Sequence, residues 1–262
     1  MVNHLISQGY KIGYLDTELG EKKLLTRLTA ISLDTTPERV EKDKSYKNWY
    51  EKYRNQFLYA GTRDLSSLNG IIDFDKTIAF AQDFKVRGAK VLFFDNLTTY
   101  FTQPTEKRLG WENLANCLTK VVNFTKLSGV ISFIVIHTKQ NICYVETPQG
   151  IRKLIKNNES HKIFNETITI VKKPTLADVF GGGASLSQLN GSMLIWRPYQ
   201  KLDDTGFSAE KLQSSSAVIL ESFRDCQSGK LIRTKFDGKK MRFYELSSKE
   251  LAEEIFKDEK VS

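Results

Sequence analysis

Four short apolar runs, separated by stretches of helical period, constrain the fold of this chain more than any other feature. They are KIGYLD (11–16), QFLYAG (56–61), KVLFFD (90–95) and VISFIVIH (130–137). Each is rich in aliphatic or aromatic residues, as a strand buried on both faces requires. Leu24, Leu25 and Leu28 recur in the first interval, which then passes Pro37 and a charged, aromatic segment around Trp49 and Tyr53. Ile71, Ile72, Ile78 and Phe80 fit a helix ending at Gly88. Trp111, Leu114, Leu118, Val121 and Val122 make an apolar stripe spaced by three and four residues. Strands alternating with helices predict an α/β fold, a mostly parallel sheet flanked by helices.

After His137 the rhythm breaks. Residues 138–178 are polar and basic, with ETITIV (166–171) the clearest apolar run among them. Beyond the glycines 181–183 come three more strand candidates: SMLIWR (192–197), SAVILESF (216–223) and KMRFYEL (240–246). The last two flank a Gly-containing turn region and predict a C-terminal antiparallel hairpin. The charged tail 247–262 reads as a short helix or a frayed end, and with no repeat and no strong linker the chain reads as a single domain.

Composition removes several classes. Apolar residues make up 40% of the 262, and 16 Phe with 10 Tyr can fill a substantial core, which argues against a disordered chain. No stretch approaches the ~20 apolar residues of a membrane span, and the first residues lack a secretory apolar region, so a soluble, cytoplasmic protein is expected. Cys117, Cys143 and Cys226 are odd in number, far apart and without metal-ligand spacing, and read as reduced thiols. The formal charge of +8 suits a polyanionic partner without requiring one.

Five local features carry chemistry, each with a plainer alternative. Asp95 ends the apolar strand of VLFFDNLTTY, at the edge where open α/β sheets bind ligands; phosphate-handling ATPases hold Mg²⁺ with such an aspartate, although a strand-end Asp also caps turns. Glu18 follows the first strand and precedes a helix, where it can orient an attacking water or simply favour the helix N-terminus. His137 closes ISFIVIH and could meet a phosphate, or serve as a structural histidine. GGGASLSQL (181–189) permits close backbone approach to a ligand, or a flexible turn. Arg224, past a strand in ESFRDCQSGK, could reach a neighbouring subunit or stay solvated.

The order of these features resembles the RecA-like helicase domain of the DnaB family and of phage primase-helicases, over residues 1–246. IGYLDTELGEKKLLTRLTA is similar to the strand, catalytic glutamate and following helix, with Glu18 at the glutamate and Arg27 in the helix. KVLFFDNLTTY resembles the Walker B strand, with Asp95 at its aspartate. ISFIVIHTKQ resembles the strand that in phage enzymes carries a phosphate-sensing His, here His137. GGGASLSQLNGSMLIWR places Gln188 at a polar γ-phosphate contact, and SAVILESFRDCQSG places Arg224 at the arginine finger. The resemblance implies ATP and Mg²⁺ as ligands, single-stranded DNA as partner, a homo-oligomeric ring (a hexamer) and association with a primase or other replication proteins.

Three departures qualify it. No GxxxxGK(S/T) occurs, and the family's phosphate loop would end shortly before residue 1, so the chain alone is expected to bind ATP poorly. Ser222 stands where the family often has a Lys two residues before the finger. The stretch 138–178 is longer than the family's pore loop and carries Lys139, Arg152, Lys153, Lys156, Lys162, Lys172 and Lys173. These would follow a DNA backbone, with Tyr144 or Phe164 available to stack on a base, unless the stretch is merely a solvated basic insertion. Rival expectations are a RepA-type or recombinase-like RecA-fold ATPase, a non-catalytic DNA-binding ring subunit, and a basic nucleic-acid-binding protein without ATPase ancestry.

Overall fold

The computed structural model describes residues 1–67, 69–102, 110–137, 142–147, 150–154, 162–163, 166–171, 174–179, 186, 188–196, 199–201, 215–223 and 229–247. The chain divides into two compact units, Met1–His137 with Val179–Gln188, and Thr138–Asp178 with Leu189–Ser262.

In the first unit the elements run α1 (Val2–Ser7), β1 (Ile12–Asp16), α2 (Glu21–Ser32), α3 (Pro37–Asp43), α4 (Tyr46–Tyr53), β2 (Phe57–Ala60), α5 (Thr62–Leu65), α6 (Phe74–Val86), β3 (Val91–Asp95), α7 (Thr98–Thr102), α8 (Gly110–Ser128) and β4 (Ile131–Ile134). The four strands form one parallel sheet in the order β2-β1-β3-β4. Parallel strands need crossovers that cover the faces, and here helices supply them, as the alternation predicted. The α6 helix begins later than Ile71, because Asp73 caps it by accepting the amide of Asp75 at 2.8 Å. Ile72 instead lies buried in an antiparallel bridge with Ser66.

A register-matched row of aromatic rings crosses one face of the sheet. Tyr14 stands opposite Tyr59 on β2 and Phe93 on β3, and Phe93 stands opposite Phe133 on β4. Tyr14 stacks on Phe93 with centroids 5.5 Å apart, and Phe93 on Phe133 at 5.0 Å. This face packs against Val2 and Ile6 of α1, Leu24, Leu25 and Leu28 of α2, and Trp49 of α4. On the opposite face, a Cβ at Gly13 would sit 2.5 Å from both Phe84 of α6 and Leu92 of β3, so glycine is what lets α6 lie close to β1. Leu114, Leu118 and Val121 of the expected stripe on α8 are fully buried.

The described elements of the second unit are a 3-10 turn at Leu176–Asp178 and the strands β5 (Ile142–Thr147), β6 (Gly150–Leu154), β7 (Lys162–Ile163), β8 (Glu166–Val171), β9 (Gly191–Trp196), β10 (Tyr199–Lys201), β11 (Ser215–Phe223), β12 (Lys230–Asp237) and β13 (Arg242–Glu245). One antiparallel sheet has the order β10-β8-β5-β6 with β7 paired to β8, and another the order β13-β12-β11-β9. The expected hairpin between 216–223 and 240–246 is revised. β11 pairs with β12, a strand absent from the expected set, and β13 pairs with β12 in turn. The alternation of charged and apolar residues in KLIRTKFD hides β12, since only one face of a half-solvated strand needs to be apolar. Strand ETITIV forms β8 as expected, inside a basic stretch whose described residues are mostly strand. Among the described residues, no helix is long and apolar enough to cross a membrane.

Candidate active site

Strands β1, β3 and β4 of the first unit end at the same rim, and the residues just past those ends build one hydrogen-bonded cluster. Its foundation is Asp16, which is fully buried. One carboxylate oxygen accepts the amides of Glu18 (2.9 Å) and Leu19 (2.8 Å). The other accepts the amide of Gly20 (2.8 Å) and the hydroxyl of Tyr59 (2.9 Å). A buried carboxylate is tolerable only when its lone pairs are satisfied in this way. The consequence is a fixed turn between β1 and α2, with Glu18 projecting from it.

Asp95 lies in register opposite Asp16. The Tyr14 hydroxyl donates to its Oδ2. Burial, followed by the nearby carboxylates of Asp16 and Glu18, pushes the Asp95 carboxyl above the usual carboxylate range, while the Tyr14 hydrogen bond and His137 pull the other way. Burial and then the charge of Asp95 raise the Tyr14 phenol, and burial with Asp16 raises that of Tyr59, so both remain protonated donors.

Asn96 joins the three strand ends. It is 3% exposed, and the peptide before it is cis. Thr17 grips its backbone: the Asn96 amide donates to Thr17 Oγ1, the Thr17 hydroxyl donates to the Asn96 carbonyl (both 2.9 Å), and the Thr17 amide donates to the Asp95 carbonyl at 2.8 Å. The Asn96 side chain accepts the Thr99 amide at 3.1 Å through Oδ1. Its Nδ2 donates to Glu18 Oε2 and lies 2.8 Å from His137 Nε2. His137 is held from behind by its amide, which donates to Thr98 Oγ1 at 2.8 Å, and its Nε2 is 3.4 Å from Glu18 Oε2. The side chains of His137 and Glu18 are 54% and 53% exposed, so the cluster lies at the surface of this unit.

The structure therefore brings together Glu18, Asp95 and His137 from the sequence-derived set. Gln188 belongs to the same unit, where its carboxamide meets Thr119 Oγ1 on α8 at 3.3 Å. Arg152 and Lys153 lie on β6. Lys139, Lys156, Lys172, Lys173, Arg224 and the glycines 181–183 fall outside the described residues. Asp16, Tyr14, Thr17 and Asn96 were not among the residues expected from sequence. A polar residue directly after a strand-ending Asp, followed three residues later by Thr, was the available sign for Asn96. Nothing local distinguishes Tyr14 from a core aromatic.

Among the described residues, no group of three or more His, Cys, Asp or Glu could hold a metal by itself. Asp95 and Glu18 are hard oxygen donors, and a site of one or two carboxylates completed by a ligand's phosphates suits Mg²⁺.

No family model matches the chain, and no curated protein matches it. Solved structures do. A DnaB-like replicative helicase, described together with its interactions with primase, superposes with a TM-score of 0.61 at 11% identity over 92% of this chain and 52% of that one. The fold is RecA-like. A KaiC-like protein from Pyrococcus horikoshii OT3 matches with a TM-score of 0.51 at 12% identity, over 92% of this chain and 80% of its own. An ATPase domain matches with a TM-score of 0.56 at 13% identity, over 92% and 76% respectively. The chain thus spans about half the length of the DnaB-like helicase chain, at 52%. In a RecA-like frame the Glu18–Asp95–His137 rim is the carboxyl edge of the parallel sheet, where folds of this architecture bind ligands.

Proposed function

We propose that this chain is the motor domain of a ring-forming, ATP-dependent DNA helicase of DnaB-like type. The observation that carries the reading is the convergence of Glu18, Asp95 and His137, from three different strand ends, at one rim of a RecA-like sheet. ATP is the proposed nucleotide. Mg²⁺, held by Asp95 together with the nucleotide's phosphates, would supply charge neutralisation during phosphoryl transfer.

The chain's own residues would do the rest. Glu18, presented by the Asp16-built turn, orients an attacking water and accepts its proton. His137 meets the terminal phosphate and, with Gln188, reports its presence to the basic stretch 138–178. Lys139, Arg152, Lys153, Lys156, Lys172 and Lys173 contact a single-stranded DNA backbone. Arg224 completes the site of the next subunit in a head-to-tail hexamer, which could engage a primase or other replication proteins. The phosphate cradle would come from a segment carrying GxxxxGK(S/T).

The likeness to the KaiC-like protein supports a second reading, a different RecA-fold ATPase, of RepA or recombinase-like type. A third, a non-catalytic DNA-binding ring subunit, follows if no phosphate loop is ever supplied.

DNA-stimulated ATP hydrolysis separates them. It is measured on the protein with whatever upstream sequence its gene encodes, beside Glu18→Gln. Hydrolysis abolished in the Gln variant, with strand unwinding in the parent, supports the helicase. Equal rates in parent and variant sink the site assignment. Hydrolysis without unwinding favours a recombinase-like ATPase, and no hydrolysis in either favours the non-catalytic subunit.

A further inference from the structure

Asn96 is the best-fixed polar side chain at the rim, and its geometry dictates the chemistry of its neighbours. The Thr99 amide is a donor that only the Asn96 carbonyl oxygen can accept, so the carboxamide cannot be turned around. Its NH₂ group must therefore face Glu18 Oε2 and His137 Nε2. A donor 2.8 Å from Nε2 requires a lone pair there. Glu18 Oε2 pulls oppositely, since a carboxylate would favour a proton on Nε2, but it lies farther away at 3.4 Å.

We propose that Asn96 is a positioning residue, whose carboxamide holds the Glu18 carboxylate and fixes neutral His137 as the Nδ1–H tautomer with Nε2 as an acceptor. A neutral histidine side chain in water prefers its proton on Nε2, so the chain selects the less common form. The neutral ring then carries its donor at Nδ1, and Glu18 is kept beside it in one rotamer. The part this plays in hydrolysis rests on the ATPase reading above; the clamp itself does not.

The tautomer is directly observable. Long-range ¹H–¹⁵N correlation on the 262-residue chain distinguishes protonated from unprotonated ring nitrogens, and with three histidines the His137 signals are assigned by their disappearance in His137→Gln. The expected parent spectrum shows a protonated Nδ1 and a bare Nε2. Asn96→Asp keeps the side-chain shape and the acceptor for Thr99 but replaces the NH₂ donor with an acceptor, so the proton should appear on Nε2. A protonated Nε2 in the neutral imidazole of the parent means Glu18, not Asn96, sets the tautomer, and overturns the proposal. An unchanged tautomer in Asn96→Asp with the folded spectrum retained also overturns it; if the variant loses its fold, the parent spectrum decides alone.

In the hydrolysing protein, Asn96→Asp should lower kcat on the order of 10–100-fold with KM for ATP little changed, as for a misplaced catalytic group. A raised KM at unchanged kcat overturns the positioning role in hydrolysis. The expected tautomers with no hydrolysis at any chain length would sink the ATPase reading and leave the clamp standing.

Discussion

Asp16 and Asp95 stand opposite each other at the ends of adjacent parallel strands, yet their carboxylates have different employment. Asp16 is fully buried and consumed by three backbone amides and the Tyr59 hydroxyl. Asp95 receives the Tyr14 hydroxyl on one oxygen, under a rim that opens to solvent at Glu18 and His137. One aspartate therefore builds the loop, and its neighbour is the one the proposed Mg²⁺ site would use.

Removing the loop builder should be costly. Asp16→Ala strands three backbone donors and a tyrosine hydroxyl in a partly buried place. The expected destabilisation is about 3–5 kcal/mol in urea unfolding. A value under ~1 kcal/mol would mean the β1–α2 turn holds itself without the carboxylate.

Asp95 should show the opposite sign. Its carboxyl is raised above the usual range, chiefly by burial, so the neutral form is favoured in the folded state. The associated stability is full below the unfolded-state value and is lost as pH rises through the folded one. Asp95→Asn does not titrate and should melt higher than the parent at neutral pH. The gap should close as the pH is lowered into the carboxylate range, and thermal melts across pH decide it. A variant less stable at neutral pH contradicts the assignment.

Gly13→Ala tests the close approach of α6 to β1. The added methyl would lie 2.5 Å from side-chain atoms of Phe84 and Leu92, both almost fully buried. Overpacking of that kind costs about 1–3 kcal/mol. Chemical denaturation would reveal it, and a neutral result would show that the helix can shift at no cost.

Single-stranded DNA binding is tested by charge removal. Replacing Arg152, Lys153, Lys172 and Lys173 by Ala should weaken binding and flatten its salt dependence, by roughly 0.7 in log–log slope for each phosphate that is no longer neutralised. Fluorescence anisotropy across a salt series measures both. Unchanged slope and affinity would assign the basic stretch to solvent.

How much of this was written in the chain depended on the kind of interaction involved. Burial leaves a local imprint: KIGYLD, QFLYAG and KVLFFD became β1, β2 and β3, because a strand covered on both faces has to be apolar throughout, while VISFIVIH formed β4 although that strand is only partly buried and Ile131 is exposed. The positions of Glu18, Asp95 and His137 at strand ends followed from the same runs. Where one face meets water the imprint fades, which is why β12 is not legible in KLIRTKFD and why the expected hairpin joined the wrong strands.

Sequence alone, then, determined the alternation of buried strands and helices, and with it a parallel sheet whose carboxyl edge carries acidic and histidine side chains. Tertiary structure alone decided which polar atoms meet. Asn96 reaches Glu18 across 78 residues and His137 across 41, and Tyr14 reaches Asp95 across 81. Such pairings depend on strand order and register, which hydrogen bonds between distant segments set, and no pattern within a single segment encodes them.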